Sequence, residues 1–60
     1  MLKIVAVFEV DGRLGDHRWR LVNWDGEVLA EKSGFYTRTA AVEDIERVRV
    51  AAVTANIAES

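Results

Sequence analysis

The residue types that could do chemistry in this chain are few and scattered. His17 is the only imidazole and there is no cysteine, so a base could be matched only with the hydroxyls of Ser33, Tyr36 or Thr37. A nucleophile and base need hydrogen-bond contact and a third group to orient the base, and the spacing of these residues supplies no such set. A lone His at the start of a β-prone run reads as a partly exposed structural residue. Asp11, Asp16 and Asp25 stand in or beside turns, where aspartates bond local backbone N–H groups rather than a metal. One His and no Cys leave no donor set for structural zinc. The expectation is a non-enzyme with no catalytic, cofactor-binding or metal-binding residues and no cofactor.

Two further features suggest binding chemistry. Residues 11–16, DGRLGD, carry two glycines, but Arg13 and Leu14 separate them, no phosphate-loop pattern completes them, and the segment leads into a strand rather than a helix, so it reads as a plain loop. Arg18-Trp19-Arg20 with Trp24 alternates cation and aromatic, as single-strand stacking platforms do. Arg18, Arg20 and Trp24 are therefore the candidate nucleic-acid contacts. Against them stand the net charge of -2 and the acidic Glu27 and Glu31 nearby, and the stronger reading makes Trp19 a core residue and pairs Arg20 with Glu31.

The element that must position these side chains is a β-hairpin around Asp25-Gly26. Asp-Gly between two apolar, β-prone runs predicts a two-residue type I′ turn, which needs positive φ at both central residues. Counting back from Trp24 opposite Glu27 pairs Asn23 with Val28, Val22 with Leu29, Leu21 with Ala30, Arg20 with Glu31, Trp19 with Lys32 and Arg18 with Ser33. One face then carries Trp19, Leu21, Val28 and Ala30 and is the expected core. The other carries Arg18, Arg20, Val22, Trp24, Leu29 and Glu31. A slip of one residue would exchange the faces of a strand, so this register is a real commitment.

Residues 2–10 read as the first strand, with Leu2, Ile4, Ala6, Phe8 and Val10 on one face and Lys3, Val5, Val7 and Glu9 on the other. After the hairpin, Thr37 or Thr39 can cap a helix start, and Thr39 is the expected N-cap. Ala41, Ile45, Val48 and Ala52 follow one helical stripe facing the sheet, and Glu43–Arg47 and Glu46–Arg49 support the solvent side. Val50 lies opposite the stripe. The β-branched Val53-Thr54 predict a stop near Ala52, followed by a short strand at residues 55–58. The fold class is α+β: a three-stranded antiparallel sheet in the order β-β-β-α, that short C-terminal strand optional, with one helix packed on one face.

Sixty residues make one domain, residues 1–60, with one small core. A chain this short buries only about 60% of its unfolded surface. Without disulfides or a metal, oligomerisation is the remaining support. Half the residues are hydrophobic and 30% are charged, as in soluble globular proteins. The apolar run at residues 4–8 is far too short to span a membrane, and the N-terminus lacks a signal-peptide pattern. The reading is a cytoplasmic protein with no membrane association. Val5, Val7, Val22, Trp24 and Leu29 sit on strand faces that one helix cannot cover, and they are the expected contacts of a homodimer.

In order and residues the chain resembles the YegP-like family of small bacterial and archaeal domains of unknown function. The resemblance rests on Phe8-Glu9-Val10, Arg18-Trp19-Arg20-Leu21, Asp25-Gly26-Glu27-Val28-Leu29-Ala30, Ser33, Tyr36, Thr37, and Ala41, Ile45, Val48 and Ala52, and so spans almost the whole chain. Two departures stand out: Asp25 where the family commonly has Asn, and Val53 where it often has a Pro ending the helix. Members occur as single or tandem units, so the resemblance implies that a single unit forms a homodimer reproducing the tandem pair. It implies no activity, substrate or catalytic residue.

Overall fold

The computed structural model describes residues 5–59. Three strands, β1 (Ala6–Arg13), β2 (Asp16–Asn23) and β3 (Val28–Phe35), precede one helix, α1 (Arg38–Thr54). The strands form an antiparallel sheet in the order β1-β2-β3. This is the α+β arrangement expected, with corrections at four places.

Within the described residues the first strand starts at Ala6, and it ends later than its composition suggests. Leu2, Lys3 and Ile4, assigned to it above, lie outside the described residues. Its far end runs to Arg13, which pairs with Asp16. The supposed loop at 11–16 is therefore a tight turn at Leu14-Gly15, and Asp11 and Gly12 are strand residues opposite Arg18 and His17. Turn-forming composition indicated that the chain reverses, but not how few residues the reversal needs.

The second correction is the β2–β3 turn. Among the described residues only glycines have positive φ, and Gly26 stands at φ 94°. Asp25 therefore cannot occupy a type I′ position. Gly26 N–H donates to the Asn23 carbonyl at 3.0 Å and Asn23 N–H to the Glu27 carbonyl at 2.8 Å, which closes a three-residue loop of Trp24, Asp25 and Gly26. This is the alternative hairpin solution, in which a left-handed glycine follows an ordinary turn. The Asp25 carboxylate accepts from Glu27 N–H at 3.1 Å and stiffens the loop.

The longer loop would displace the whole register by one residue, but a bulge absorbs the offset. Val22 pairs with Val28 and Leu21 with Ala30, leaving Leu29 as the extra residue. From Leu21–Ala30 through Arg20–Glu31 and Trp19–Lys32 to Arg18–Ser33 the pairing is the one predicted. The expected pairs Asn23–Val28 and Val22–Leu29 do not form. Val28 consequently shares a face with Val22, away from the helix, and not with Trp19.

The core is small. Trp19 is 4% exposed, and Ala41 and Ile45 are buried with it; Phe8, Val10, Leu21, Phe35 and Val48 pack around them. Phe8 meets the Trp19 ring edge-on, with centroids 5.6 Å apart and planes at 70°, an arrangement that aligns a ring edge with a ring face. Ala30 faces the helix side but stays exposed, so α1 covers β1 and β2 better than β3.

The helix supplies the third and fourth corrections. Its cap is Thr37 and not Thr39: the Thr37 hydroxyl accepts from Ala40 N–H at 3.1 Å on an extended backbone. Thr39 already lies inside the first turn. At the other end α1 continues through Val53 to Thr54, and residues 55–59 form no strand. β-branched residues cost a helix only tenths of a kcal/mol each, so two of them do not end one that has no proline. Ala52 is exposed, so only Ala41, Ile45 and Val48 of the expected stripe reach the sheet.

Candidate functional site

The sheet has one side under α1 and one side open, and the open side carries most of the residues singled out from the sequence. Alternation along β1 and β2 sends Phe8, Val10, Trp19 and Leu21 to the helix, and so sends Val7, Glu9, Arg18, Arg20 and Val22 outward. The pairs Val7–Val22 and Val22–Val28 line up one valine from each strand in a single row. Val5 and Trp24 lie one residue beyond the Ala6–Asn23 pair at the same end of the sheet. Val5, Val7, Trp24, Val28 and Leu29 are exposed, Trp24 by 75%. Of the expected dimer contacts, Val5, Val7, Val22 and Trp24 are thus brought together, with Leu29 beside them at the bulge. Val28 belongs to the same patch and escaped notice because the bulge was not foreseen.

The other half of the open face is charged and internally paired. Arg20 Nη2 donates to Glu9 Oε1 at 2.8 Å, and Arg18 Nε to Asp11 Oδ1 at 2.8 Å. Arg20 stands opposite Glu31 as predicted, but its ion-pair partner is Glu9 on the other neighbouring strand. The hydrogen bond from Arg18 holds the Asp11 carboxyl below the usual carboxylate range, with burial opposing, and Asp11 in turn raises Arg18. Arg18 and Arg20 are therefore occupied by carboxylates, and Trp24 is at the opposite end of the sheet from Arg18. Trp19, between the arginines in sequence, faces the core. The three candidate nucleic-acid contacts do not make one platform.

Around the Leu14-Gly15 turn, Asp11, Gly12, Arg13, Asp16, Arg18 and Ser33 line a shallow hollow whose two acids face two arginines. His17 is half-buried, opposite Gly12 on one side and Phe35 on the other. Of the hydroxyls weighed as its partners, Thr37 is the helix cap and Ser33 stands opposite Arg18. Among the described residues no group of three or more His, Cys, Asp or Glu could hold a metal ion. No described helix is long and apolar enough to cross a membrane.

One chemically important residue was missed. Asp44 is 6% exposed, and its Oδ2 accepts from the Trp19 indole N–H at 2.8 Å. Its Oδ1 accepts from Arg47 Nη2 at 2.9 Å and lies 3.6 Å from Lys32 Nζ. Asp44, and not Glu43, is thus the partner of Arg47. The signal was present: Asp44 adjoins Ile45 and follows Ala41 by one helical turn, and a buried tryptophan requires an acceptor for its N–H. This contact joins α1 to β2 and β3 at the centre of the core.

The Trp19 hydrogen bond is the largest influence holding the Asp44 carboxyl below its ordinary value; the Arg47 bond and the charges of Lys32 and Arg47 add to it, and burial opposes. A carboxyl with a lowered folded-state pKa contributes stability above its unfolded value, about 3.9, and that contribution is lost as pH falls through the folded value. The melting temperature is therefore expected to fall steeply below about pH 4. In Asp44→Asn the melting temperature at pH 7 is lower, and the gap to the parent narrows with acidification. Thermal melts from pH 7 to pH 2, followed by Trp19 fluorescence, measure this. A constant gap across that range rules out the role assigned to the Asp44 charge. Asp11 leaves a residual slope in the variant.

The sequence from Leu14 onward matches the model of DUF1508, a domain of unknown function, over residues 14–59. The chain belongs to the DUF1508 family. This is the YegP-like family suggested by the motifs above. A solution NMR structure of a protein from Haloferax volcanii is similar at a TM-score of 0.78 and 34% identity, over 93% of this chain and 97% of that one. No curated protein sequence matches significantly. The matched DUF1508 region contains β2, β3 and α1, and with them Trp19, Asp44 and the Arg18-Trp19-Arg20 motif.

Proposed function

We propose that this DUF1508 protein is a non-catalytic, cytoplasmic interaction module that works as a homodimer, with Val5, Val7, Val22, Trp24 and Leu29 in the contact. The observation that carries the reading is the valine row Val7, Val22 and Val28 across all three strands, on the side of the sheet that α1 does not cover, with Val7 and Val28 exposed and Val22 half-buried between them. A contiguous apolar patch rimmed by polar groups marks an interaction surface. Here the rim is the Glu9–Arg20 and Asp11–Arg18 ion pairs, although Arg20 Nε itself has no hydrogen-bond partner.

The size of the core argues for a second copy as the occupant. Among the described residues Trp19, Ala41 and Ile45 are the buried apolar ones, and a core of that size rarely sustains a domain without disulfides, metal or association. The same patch on two copies meets itself around a two-fold axis.

Sedimentation equilibrium from low micromolar to millimolar concentration tests the proposal. The parent protein is expected to show the dimer mass, and Val7→Lys, a change at an exposed position, the monomer mass with a near-parental melting profile. A folded parent that stays monomeric throughout overturns the reading. Mixing the parent with labelled single-stranded RNA at low salt addresses the nucleic-acid alternative: the paired state of Arg18 and Arg20 predicts no binding.

A further inference from the structure

We propose that the two copies of the open-face dimer meet with their β2 strands running in opposite directions, so that the apolar part of each sheet is covered and the charged part is left in water. This rests on the homodimer reading and adds to it which side chains meet. Strand pairing sets the open face in rows across the sheet: Glu9, Arg20 and Glu31 form one row, and Val7, Val22 and Val28 form the next. Val5 and Trp24 lie beyond the valines, whereas Asp11 and Arg18 lie beyond Glu9 and Arg20, towards the Leu14-Gly15 turn. The face therefore has an apolar end and a charged end, and the boundary crosses all three strands between the row of Arg20 and the row of Val22.

Sheets packed face to face keep their strands within about 30° of one another, so a two-fold axis lying in the contact has two settings. With the axis along the strands, β2 runs the same way in both copies, and every row lies over the same row of the partner. The valines then cover valines, but the ion pairs Arg20–Glu9 and Arg18–Asp11 are pressed against their own counterparts. Glu31, which makes no ion pair among the described residues, is enclosed with them. Taking such charges out of water costs more than their mutual attraction returns. With the axis across the strands, the partner's rows are met in reverse order. An axis between the rows of Val22 and Trp24 lays Val22 against the partner's Trp24 and Val7 against the partner's Val5. The charged end of each copy then extends past the apolar end of the other and keeps its water. Trp24, 75% exposed in one copy, comes to the middle of the contact, where a covered tryptophan carries a large share of binding energy.

Isotope-filtered nuclear Overhauser spectra of an equal mixture of carbon-13-labelled and unlabelled parent protein, at a concentration where sedimentation gives the dimer mass, read contacts between copies alone. The expected signals join the Val22 methyls to the partner's Trp24 indole and the Val7 methyls to those of the partner's Val5. Signals between copies that stay within the valine row, joining Val7 to the partner's Val28 or either of these to the partner's Val22, belong to the axis along the strands. They overturn the antiparallel setting and leave the open-face dimer standing. A dimer mass with no signal between copies from any of these five residues overturns the open face as the contact, and the setting with it. A parent that stays monomeric at every concentration overturns both readings.

Discussion

Replacing Trp19 with alanine is expected to lower stability by about 3–5 kcal/mol, the range for truncating a large buried aromatic. For a domain of this size the whole stability is of the order of 3–9 kcal/mol, so the variant is expected to be largely unfolded at room temperature. The structure supplies reasons beyond ring volume. Trp19 lies at the centre of the middle strand, takes the edge-on contact from Phe8 and covers Ala41 and Ile45 on the helix. It also provides the indole N–H that satisfies Asp44. Alanine thus opens a cavity and at the same time leaves Asp44 Oδ2 without its donor.

Trp19→Phe separates these effects. It keeps most of the apolar contact and removes the donor, so its loss should lie between the parent and the alanine variant. Urea unfolding followed by far-ultraviolet circular dichroism measures all three, since the fluorescence of Trp19 is itself removed. If Trp19→Ala unfolds at the parental urea concentration, Trp19 is not the centre of the core.

How much of this was legible in the sequence depends on which physical signal a residue carries. The burial of Trp19 and the pairing from Leu21–Ala30 to Arg18–Ser33 follow from strand alternation and from opposite charges at Arg20 and Glu31. The turn that feeds this pairing was misread, yet the pairing survives, because the three-residue loop and the Leu29 bulge displace the strands by equal and opposite amounts. Asp-Gly is compatible with both hairpin solutions, and only the backbone angle of Asp25 distinguishes them. The fate of Val28 depended on that choice, and with it one third of the valine row. Asp44 was hidden for a different reason: an apolar stripe is found by hydrophobic residues, and a buried carboxylate is visible only from the demands of its partner. Arg20 shows the limit of a two-strand view. Its pairing with Glu31 was reasoned within the hairpin, whereas the middle strand has two neighbours and the arginine reaches Glu9 on the other. Val5, Val7, Val22 and Trp24 fall on one face because strand alternation sets them opposite Phe8 and Trp19, whereas Leu29 was put there through a pairing with Val22 that the bulge replaces.

Gly12→Ala is expected to be nearly as damaging as the loss of Trp19, although Gly12 is exposed and lies at the sheet's end. Its φ of 133° is in a region that side-chain-bearing residues rarely adopt. A Cβ built there would stand 2.5 Å from the Asp16 carbonyl oxygen and 2.6 Å from the His17 Cα. Both are backbone atoms of β2, so no rotamer change relieves the overlap. β1 and β2 must separate where Gly12 pairs with His17, and with them the hollow formed by Asp11, Arg13 and Arg18 must change shape. Backbone strain of this kind costs about 1–3 kcal/mol before any displacement of the strands is counted. Gly15→Ala is the control within the same hairpin. Its φ is 84°, but nothing lies within 4 Å of its Cβ position, so it incurs only the conformational cost, about 1–2 kcal/mol. The urea midpoint should therefore fall clearly further for Gly12→Ala than for Gly15→Ala. Equal midpoints would show that the close approach of the two backbones does not constrain position 12, and that the conformation of a single residue governs both sites.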